Sequence, residues 1–136
     1  MSSISFPYES HSSSIFKIIK RPVANIKFFS PKRKRWLEYT MIVDTGADYT
    51  VCPLKVAHDL LIDVEKECNQ YLTRGIGGSE KVFIYKKKIL AEIGELKMKI
   101  PIGFLERDDL PPLLGRQQCL NILDVIFSHF TTTFKK

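Results

Sequence analysis

Residues 38–46 read EYTMIVDTG, an apolar stretch that ends in Asp44-Thr45-Gly46. The run Met41-Ile42-Val43 is typical of a buried β-strand, and an aspartate and a glycine directly after it favour a turn. An ordinary junction between a strand and a turn uses the same residue types, so the tripeptide alone does not decide its role. The motif occurs once, and the chain holds no second Asp-Thr-Gly and no Asp-Ser-Gly.

Two further segments, which follow the Asp-Thr-Gly motif in the sequence, help to interpret it. Residues 73–79 read TRGIGGS and join two stretches with strand character, 69–72 and 81–85. Glycines at the tip of a hairpin permit positive φ and let another backbone approach closely. Leu113-Leu114-Gly115-Arg116 then ends an apolar segment, and a short helix is predicted directly after it, over residues 117–123.

With these three motifs in this order, the chain resembles the retropepsins, the homodimeric aspartic proteases of retroviruses and their cellular relatives. The matching residues are Asp44-Thr45-Gly46-Ala47-Asp48, Gly75-Ile76-Gly77-Gly78 and Leu113-Leu114-Gly115-Arg116. The resemblance implies an all-β fold, the closed β-barrel of the acid proteases, with one short C-terminal helix. Many short predicted strands joined by tight turns favour the same class.

The resemblance also implies an activity and an assembly. Aspartic protease chemistry needs two carboxylates close enough to share a proton. Because the chain carries one Asp-Thr-Gly, the expected active site combines Asp44, Thr45 and Gly46 of two chains in a homodimer. The expected reaction is endopeptidase hydrolysis between apolar residues of a peptide or protein substrate. Water activated between the two Asp44 carboxylates would be the nucleophile, and neither a cofactor nor a metal is expected.

Further roles follow from the resemblance alone. Asp48 is expected to contact the substrate backbone and to form an ion pair with Arg116 of the same chain. The glycine hairpin is expected to act as a flap that closes over the peptide. The expected substrate-binding residues are Ala47, Asp48, Tyr49, Ile76, Gly77, Gly78, Leu110, Pro111 and Leu113.

Two other functions stay open at this point. One is a catalytically weak retropepsin-like module that binds peptides or dimerises without efficient turnover. The other is nucleic-acid binding, because the chain has a formal net charge of +6 and carries the basic cluster Lys32-Arg33-Lys34-Arg35. A solvated hairpin loop accounts for that cluster more simply, and no known reader motif accompanies it, so a nucleic-acid partner is not expected.

The 136 residues predict a single retropepsin-like domain over residues 15–136, preceded by a flexible, serine-rich arm over residues 1–14. Whether the two termini join a sheet between subunits is left open. No run approaches the ~20 apolar residues of a membrane helix, and no membrane partner is expected. Three cysteines without metal-ligand spacing predict free thiols in a reducing compartment, and thus a cytoplasmic protein.

Overall fold

The computed structural model describes residues 2–75 and 78–136, and most of these residues lie in β-strands. Short helical segments interrupt the strands at three places. The strands are β1 (Ser3–Pro7), β2 (Glu9–Ser13), β3 (Lys17–Arg21), β4 (Val23–Ser30), β5 (Arg35–Val43), β6 (Thr50–Pro53), β7 (Cys68–Gly75), β8 (Gly78–Tyr85), β9 (Ile89–Ile93), β10 (Leu96–Ile100), β11 (Ile102–Leu105), β12 (Leu113–Leu114), β13 (Asp124–Ser128) and β14 (Thr131–Lys135). The helices are α1 (Leu54–Asp59), α2 (Val64–Glu67) and a 3-10 helix over Leu120–Ile122.

The described strands form three sheets. The largest has nine strands in the order β10-β9-β4-β5-β12-β6-β11-β8-β7, and it contains two parallel pairs, β5 with β12 and β6 with β11. A second sheet has the order β1-β14-β13, and β2 and β3 form a separate hairpin. An all-β fold was predicted, and the chain is mostly β with short helices, while closure of the strands into a barrel stays a prediction.

The core follows from alternating side chains on the strands of the large sheet. In β4, Ala24, Ile26 and Phe28 are buried, whereas Asn25 and Lys27 between them are exposed. Successive side chains of a strand point to opposite faces, so this alternation gives the sheet one apolar face. β10 shows the same pattern over LKMKI. The largest fully buried side chains include Phe28, Met41, Leu60, Phe104, Leu114 and Phe134.

The basic cluster of residues 32–35 lies at the turn between β4 and β5, as the solvated-loop interpretation predicted. Two of its residues contact the chain itself. Lys32 donates to Glu67 over 2.8 Å, and this hydrogen bond holds the pKa of the Glu67 carboxyl below its ordinary value. Arg33 donates to the backbone oxygen of Asp59. Part of the cluster therefore serves contacts within the chain.

Residues 1–14, expected as a flexible arm, contain two strands, β1 and β2. Strand β1 pairs with β14 of the same chain, with Ile4 opposite Phe134 and Phe6 opposite Thr132. The rings of Phe6 and Phe134 lie 6.0 Å apart, edge to face. Ile4 and Phe6 alternate with serines, and this period-2 pattern buries one face of a strand that is polar in overall composition. The tail after residue 130, which carried no strand prediction, forms the central strand β14.

The helix predicted over residues 117–123 is reduced to the 3-10 turn Leu120–Ile122. Gln118 adopts a left-handed φ of 50°, and Leu123 is extended, so a regular helix cannot run through the segment. Besides this short C-terminal turn, the structure contains the helices α1 and α2. Asp63 begins α2, because its side chain accepts hydrogen bonds from the backbone N–H groups of Glu65 and Lys66.

No helix within residues 2–75 and 78–136 is long and apolar enough to cross a bilayer.

Two fully buried threonines provide a matched test of the packing. Thr50 Oγ1 accepts a hydrogen bond from the backbone N–H of Gly115 over 3.1 Å, whereas Thr132 Oγ1 has no hydrogen-bond partner among the described residues. A valine has nearly the same shape without the hydroxyl. We therefore expect Thr50→Val to lower the free energy of unfolding by about 1–3 kcal/mol, because it leaves the Gly115 N–H unpaired. Thr132→Val removes an unpaired buried hydroxyl and is expected to raise it by about 1 kcal/mol.

Urea unfolding of the native chain and of both variants at equal protein concentration measures this difference. Equal destabilisation by the two substitutions would contradict the hydrogen-bond assignment, because valine would then act only through its backbone preferences or its packing.

Candidate functional site

Asp44 directly follows the last residue of β5, and its side chain is only partly buried. Val43 is buried, Asp44 is half-buried, and Thr45 and Gly46 are exposed. The Asp44 carbonyl accepts a hydrogen bond from Ala47 N over 3.1 Å, which closes a tight turn. The apolar run that precedes the aspartate is therefore held in the sheet, while the carboxyl group is presented at the surface.

The turn also fixes the orientation of the carboxyl group. Asp44 Oδ1 accepts a hydrogen bond from the backbone N–H of Gly46 over 2.9 Å. A Cβ at Gly46 would lie 3.2 Å from this oxygen, so a side chain there would crowd the carboxylate. Glycine thus allows the aspartate to fold back onto its own turn. This hydrogen bond fixes the position of one carboxyl oxygen of Asp44, and the side chain stays partly exposed to solvent.

A second segment, residues 112–117, supports the turn from behind. Strand β12 runs parallel to β5 on one side and antiparallel to β6 on the other. The backbone N–H groups of Ile42 and Asp44 donate to Pro112 O and Leu114 O, both over 3.0 Å. Asp44 therefore projects from a turn whose two ends both belong to a hydrogen-bonded sheet.

The hydrogen bonds continue past β12. Arg116 N donates to Ala47 O over 3.0 Å, and Gln117 N donates to Asp48 O over 2.8 Å. Gly115 lies between these contacts, at a close crossing of two backbones. A Cβ there would lie 2.2 Å from the carbonyl carbon of Tyr49, a distance that no side chain tolerates. Glycine at position 115 is thus a steric requirement of this crossing.

The predicted ion pair between Asp48 and Arg116 is not among the ion pairs of the described residues. The backbones of the two residues are adjacent, as expected, but Arg116 Nε donates to Asn121 Oδ1 over 3.1 Å. The 3-10 turn brings Asn121 to the guanidinium group and explains this choice of partner.

The expected substrate-binding residues fall into two described groups. Ala47, Asp48 and Tyr49 follow Asp44 directly, and Leu110, Pro111 and Leu113 form the approach to β12. Tyr49 is half-buried, and burial raises the pKa of its hydroxyl. A Cβ at Gly103 of β11 would lie 2.9 Å from the ring of Tyr49, so the ring packs on this glycine. The side chain therefore lies against the sheet.

The glycine hairpin is formed by β7 and β8, with Gly75 opposite Gly78. Gly78 has a φ of +120°, which glycine adopts far more readily than other residues. The predicted contact residues Ile76 and Gly77 lie outside the described residues. The hairpin is thus confirmed at its stem, and its role as a flap stays a prediction.

One contact at this hairpin was not predicted from the sequence. Arg107 Nη1 donates to Glu80 of β8 over 2.8 Å, and its Nε and Nη2 donate to the two oxygens of Asp109 over 2.8 and 2.9 Å. The guanidinium group lowers the pKa of the Asp109 carboxyl. Arg107 thereby connects the hairpin stem to the segment that carries Leu110 and Pro111. Glu80 and Arg107 are far apart in sequence, and only the pairing of β8 with β11 brings them together.

Other kinds of catalytic group are poorly placed in the described chain. Cys52, Cys68 and Cys119 are free and buried. Burial raises the pKa of Cys68 to about 11 and that of Cys119 to about 12, so the reactive thiolate form is disfavoured at neutral pH. Within residues 2–75 and 78–136, no cluster of histidine, cysteine, aspartate and glutamate could hold a metal ion.

The single chain also has a cavity that Asp44 does not line. A cavity of about 310 Å³ is lined by Arg35, Tyr39 and Asp59 among others. On β5 the lining residues run from Arg35 to Tyr39, so the cavity lies along the half of the strand that is remote from Asp44. The Asp44 turn is therefore outside this cavity.

Comparison with solved structures identifies the fold. The chain is similar to a retropepsin-like aspartic protease from Rickettsia conorii, with a TM-score of 0.63 and 18% sequence identity over 98% of each chain. The chain thus has the retropepsin-like fold that its motifs predicted. No family model matches the sequence, and no curated protein matches it either.

Because two backbones cross closely at Gly115, we expect an alanine at this position to lower the free energy of unfolding. In Gly115→Ala the new methyl group meets backbone atoms of Tyr49, which cannot move without displacing β6 and the Asp44 turn. We expect a loss of at least about 4 kcal/mol in the free energy of unfolding, a large part of the stability of a small domain. Urea unfolding and the yield of folded protein measure it.

Gly103→Ala is the matched control. Its methyl group would meet side-chain atoms of Tyr49, Val82 and Ile84 at 2.9–3.0 Å, and side chains can shift. A loss of about 1–3 kcal/mol is expected for such overpacking. If both alanine variants lose the same stability, the backbone crossing is not the constraint described above.

Proposed function

We propose that the chain is an aspartic endopeptidase that acts as a homodimer. The single observation that carries the proposal is the placement of Asp44. It is half-buried on a turn that is hydrogen-bonded to residues 112–117, within a retropepsin-like fold. Ordinary turns also contain an aspartate bonded to the backbone N–H two residues on, so the position of Asp44 within this fold, and not that hydrogen bond, carries the proposal. The similarity to a retropepsin-like aspartic protease supports the same reaction class.

The reaction needs an Asp44 from each of two chains. Two carboxylates that share a site cannot both ionise easily, so the pair keeps one proton in mildly acidic solution. The ionised Asp44 accepts a proton from the water held between the two side chains, and the water oxygen attacks the scissile carbonyl carbon. The protonated Asp44 donates a hydrogen bond to the carbonyl oxygen and stabilises the developing negative charge. The Asp44 that accepted the proton of the water then donates it to the amide nitrogen, and the C–N bond breaks to release the amine and the carboxylic acid.

The chain supplies the remaining parts from residues near Asp44. Thr45 is exposed beside the carboxylate, where it would hydrogen-bond the second copy's turn. Asp48 and the hairpin would hold the peptide backbone in an extended form. Leu110, Pro111 and Leu113 would form apolar specificity pockets, which favours cleavage between large apolar residues. Arg107 would set the distance between the hairpin and these pockets through Glu80.

Substitution of Asp44 tests the catalytic role. In Asp44→Asn the carboxamide keeps the shape of the side chain but can neither accept the proton of the water nor share one with its copy. We expect cleavage of extended apolar peptides to fall by at least about a thousandfold, since the acid–base pair is lost. Peptide turnover followed from pH 3 to 8 at high protein concentration measures it, and the native chain is expected to work best on the acid side of neutrality.

Glu65→Gln is the control, because Glu65 is an exposed carboxylate on α2 without an ion pair among the described residues, and full activity is expected of it. Native cleavage rates in Asp44→Asn would contradict the proposal. Peptide binding by the native chain without cleavage at any pH would instead support a catalytically weak binding module.

Strand β13 is the surface that we propose joins the two copies. It lies at the edge of the β1-β14-β13 sheet, and its outer edge has no strand partner among the described residues. Ile126 and Phe127 are 40% and 43% exposed, and residues 124–128 contain no lysine or proline, which commonly protect edge strands. The segment that supports the Asp44 turn continues through the 3-10 turn directly into this strand.

The outer edge of β13 can pair with the same edge of a second copy about a two-fold axis. If β13 pairs antiparallel with its copy about Ile126, each Ile126 faces the other, and Asp124 faces the second copy's Ser128. No like charges are opposed in this register, and an isologous contact of this kind closes as a dimer. Pairing also satisfies the free backbone groups of both edges.

Ile126→Lys tests the interface. The substitution places two ammonium groups opposite each other across the two-fold axis, so we expect a monomer in sedimentation analysis. Peptidase activity should fall by at least about tenfold at low protein concentration and recover in part at high concentration. The control is Leu61→Lys, at an apolar side chain that is 42% exposed outside this sheet. A dimer of native strength in Ile126→Lys would contradict the assignment of β13.

A further inference from the structure

The hairpin of β2 and β3 presents apolar side chains to solvent at its tip. Ile15 is 80% exposed, Phe16 is 72% exposed and Ile18 is 65% exposed, and all three lie within four consecutive residues. The two strands form a sheet of their own, separate from the other two. A contiguous group of large exposed apolar side chains is unusual on a soluble surface and marks a site of interaction.

The tip has a defined conformation. Ser13 Oγ accepts hydrogen bonds from the backbone N–H groups of Ile15 and Phe16 over 3.2 and 3.1 Å. Ile18 N donates to Phe16 O over 2.7 Å, and Lys17 between them has a left-handed φ of 64°. These bonds close the turn, so the apolar side chains point outward from a folded structure.

The base of the hairpin is attached to the turn between β13 and β14. Tyr8 N donates to Phe130 O over 2.9 Å, and the two rings lie 5.9 Å apart, edge to face. Lys20 Nζ lies 5.3 Å from the centre of the Phe130 ring, which is itself 64% exposed. The hairpin therefore projects from a fixed base, with further apolar surface beside it.

The charges around the tip have one sign. Within the hairpin, residues 10–21 contain three lysines and arginines and no aspartate or glutamate. Lys17 and Lys20 belong to the hairpin itself, and both are exposed. Glu9 lies at the base, opposite Arg21, with its carboxylate 3.1 Å from His11 Nε2. The tip thus combines apolar side chains with positive charge.

We propose that this tip docks the protein onto an anionic lipid surface. Ile15 and Phe16 would enter the boundary between headgroups and acyl chains, while Lys17 and Lys20 would contact lipid phosphates. Lysine suits this place, because its methylene chain lies along apolar material while its ammonium group stays with the headgroups. Surface docking needs no spanning helix, and it departs from the expectation that the chain has no membrane partner.

Shape and charge favour a lipid surface over the other occupants. A second copy would bring the same positive charges to the tip and be repelled by them. A folded protein would need a cavity that matches a protruding tip, whereas a bilayer deforms around it. An anionic bilayer supplies both the negative charge and the apolar phase that the tip requires. The proposal is independent of peptidase activity.

Vesicle flotation tests the proposal on the full chain. The probes are vesicles of phosphatidylcholine alone and vesicles with about one third phosphatidylserine. We expect the native chain to float with the anionic vesicles only, and to lose binding as salt is raised. The double variant Ile15→Ser/Phe16→Ser should bind at least about tenfold more weakly. Lys17→Asn should bind about fivefold more weakly, as expected for one basic residue at an anionic surface.

Lys34→Asn is the matched control. Lys34 is also an exposed hairpin lysine with a left-handed φ, 57°, and asparagine tolerates this conformation at both positions. Binding by Lys34→Asn should equal that of the native chain, and thermal unfolding checks that all variants fold. Equal loss in Lys17→Asn and Lys34→Asn, native binding by the double variant, or no flotation of the native chain would each overturn the proposal. The last result would favour an acidic protein as the occupant of the tip.

Discussion

The crossing of two backbones at Gly115 and Tyr49 is the constraint on which the candidate site depends. Strand β12 lies between β5 and β6, so the chain before the Asp44 turn and the chain after it are held by the same short segment. Only two residues form this strand, and its hydrogen bonds reach beyond it to Ala47 and Asp48. The position of Asp44 is therefore set by backbone contacts, and these depend on the absence of a side chain at position 115.

This arrangement explains how an exposed turn can be well ordered. Turns at a surface usually gain little from packing, because few apolar groups are buried there. Here the turn gains order from Val43 and Thr50, which are buried at its two ends, and from the hydrogen bonds of residues 112–117. The carboxyl group itself is left half-exposed, available to a second chain and to a substrate. Rigidity behind the turn and access in front of it are the two properties that an acid–base pair shared between subunits needs.

The sequence predicted those parts of the site that depend on local signals. The strand before Asp44, the two strands that flank the glycine segment and the strand at Leu113-Leu114 are elements that the sequence pattern indicated. The contacts made by side chains over long distances were not predicted. Arg116 contacts Asn121 because a 3-10 turn replaces the expected helix, and Arg107 reaches Glu80 because of strand register. Motif spacing does not encode either feature. Strand β1 was not predicted, because its serines make the segment polar overall although Ile4 and Phe6 alternate with them.

The pairing of β1 with β14 within one chain has a consequence for assembly. If the terminal strands were exchanged between subunits, a single chain would lack part of its core, and folding would require the partner. In this chain Phe134 is fully buried and pairs with Ile4 of the same chain, so the terminal sheet forms within one chain, with β1 and β13 at its two edges. The stability of the monomer and the affinity of the proposed dimer then rest on different contacts. Under the proposed mechanism, a monomer folds first, stays inactive because it holds one Asp44, and gains activity as dimers form at higher concentration.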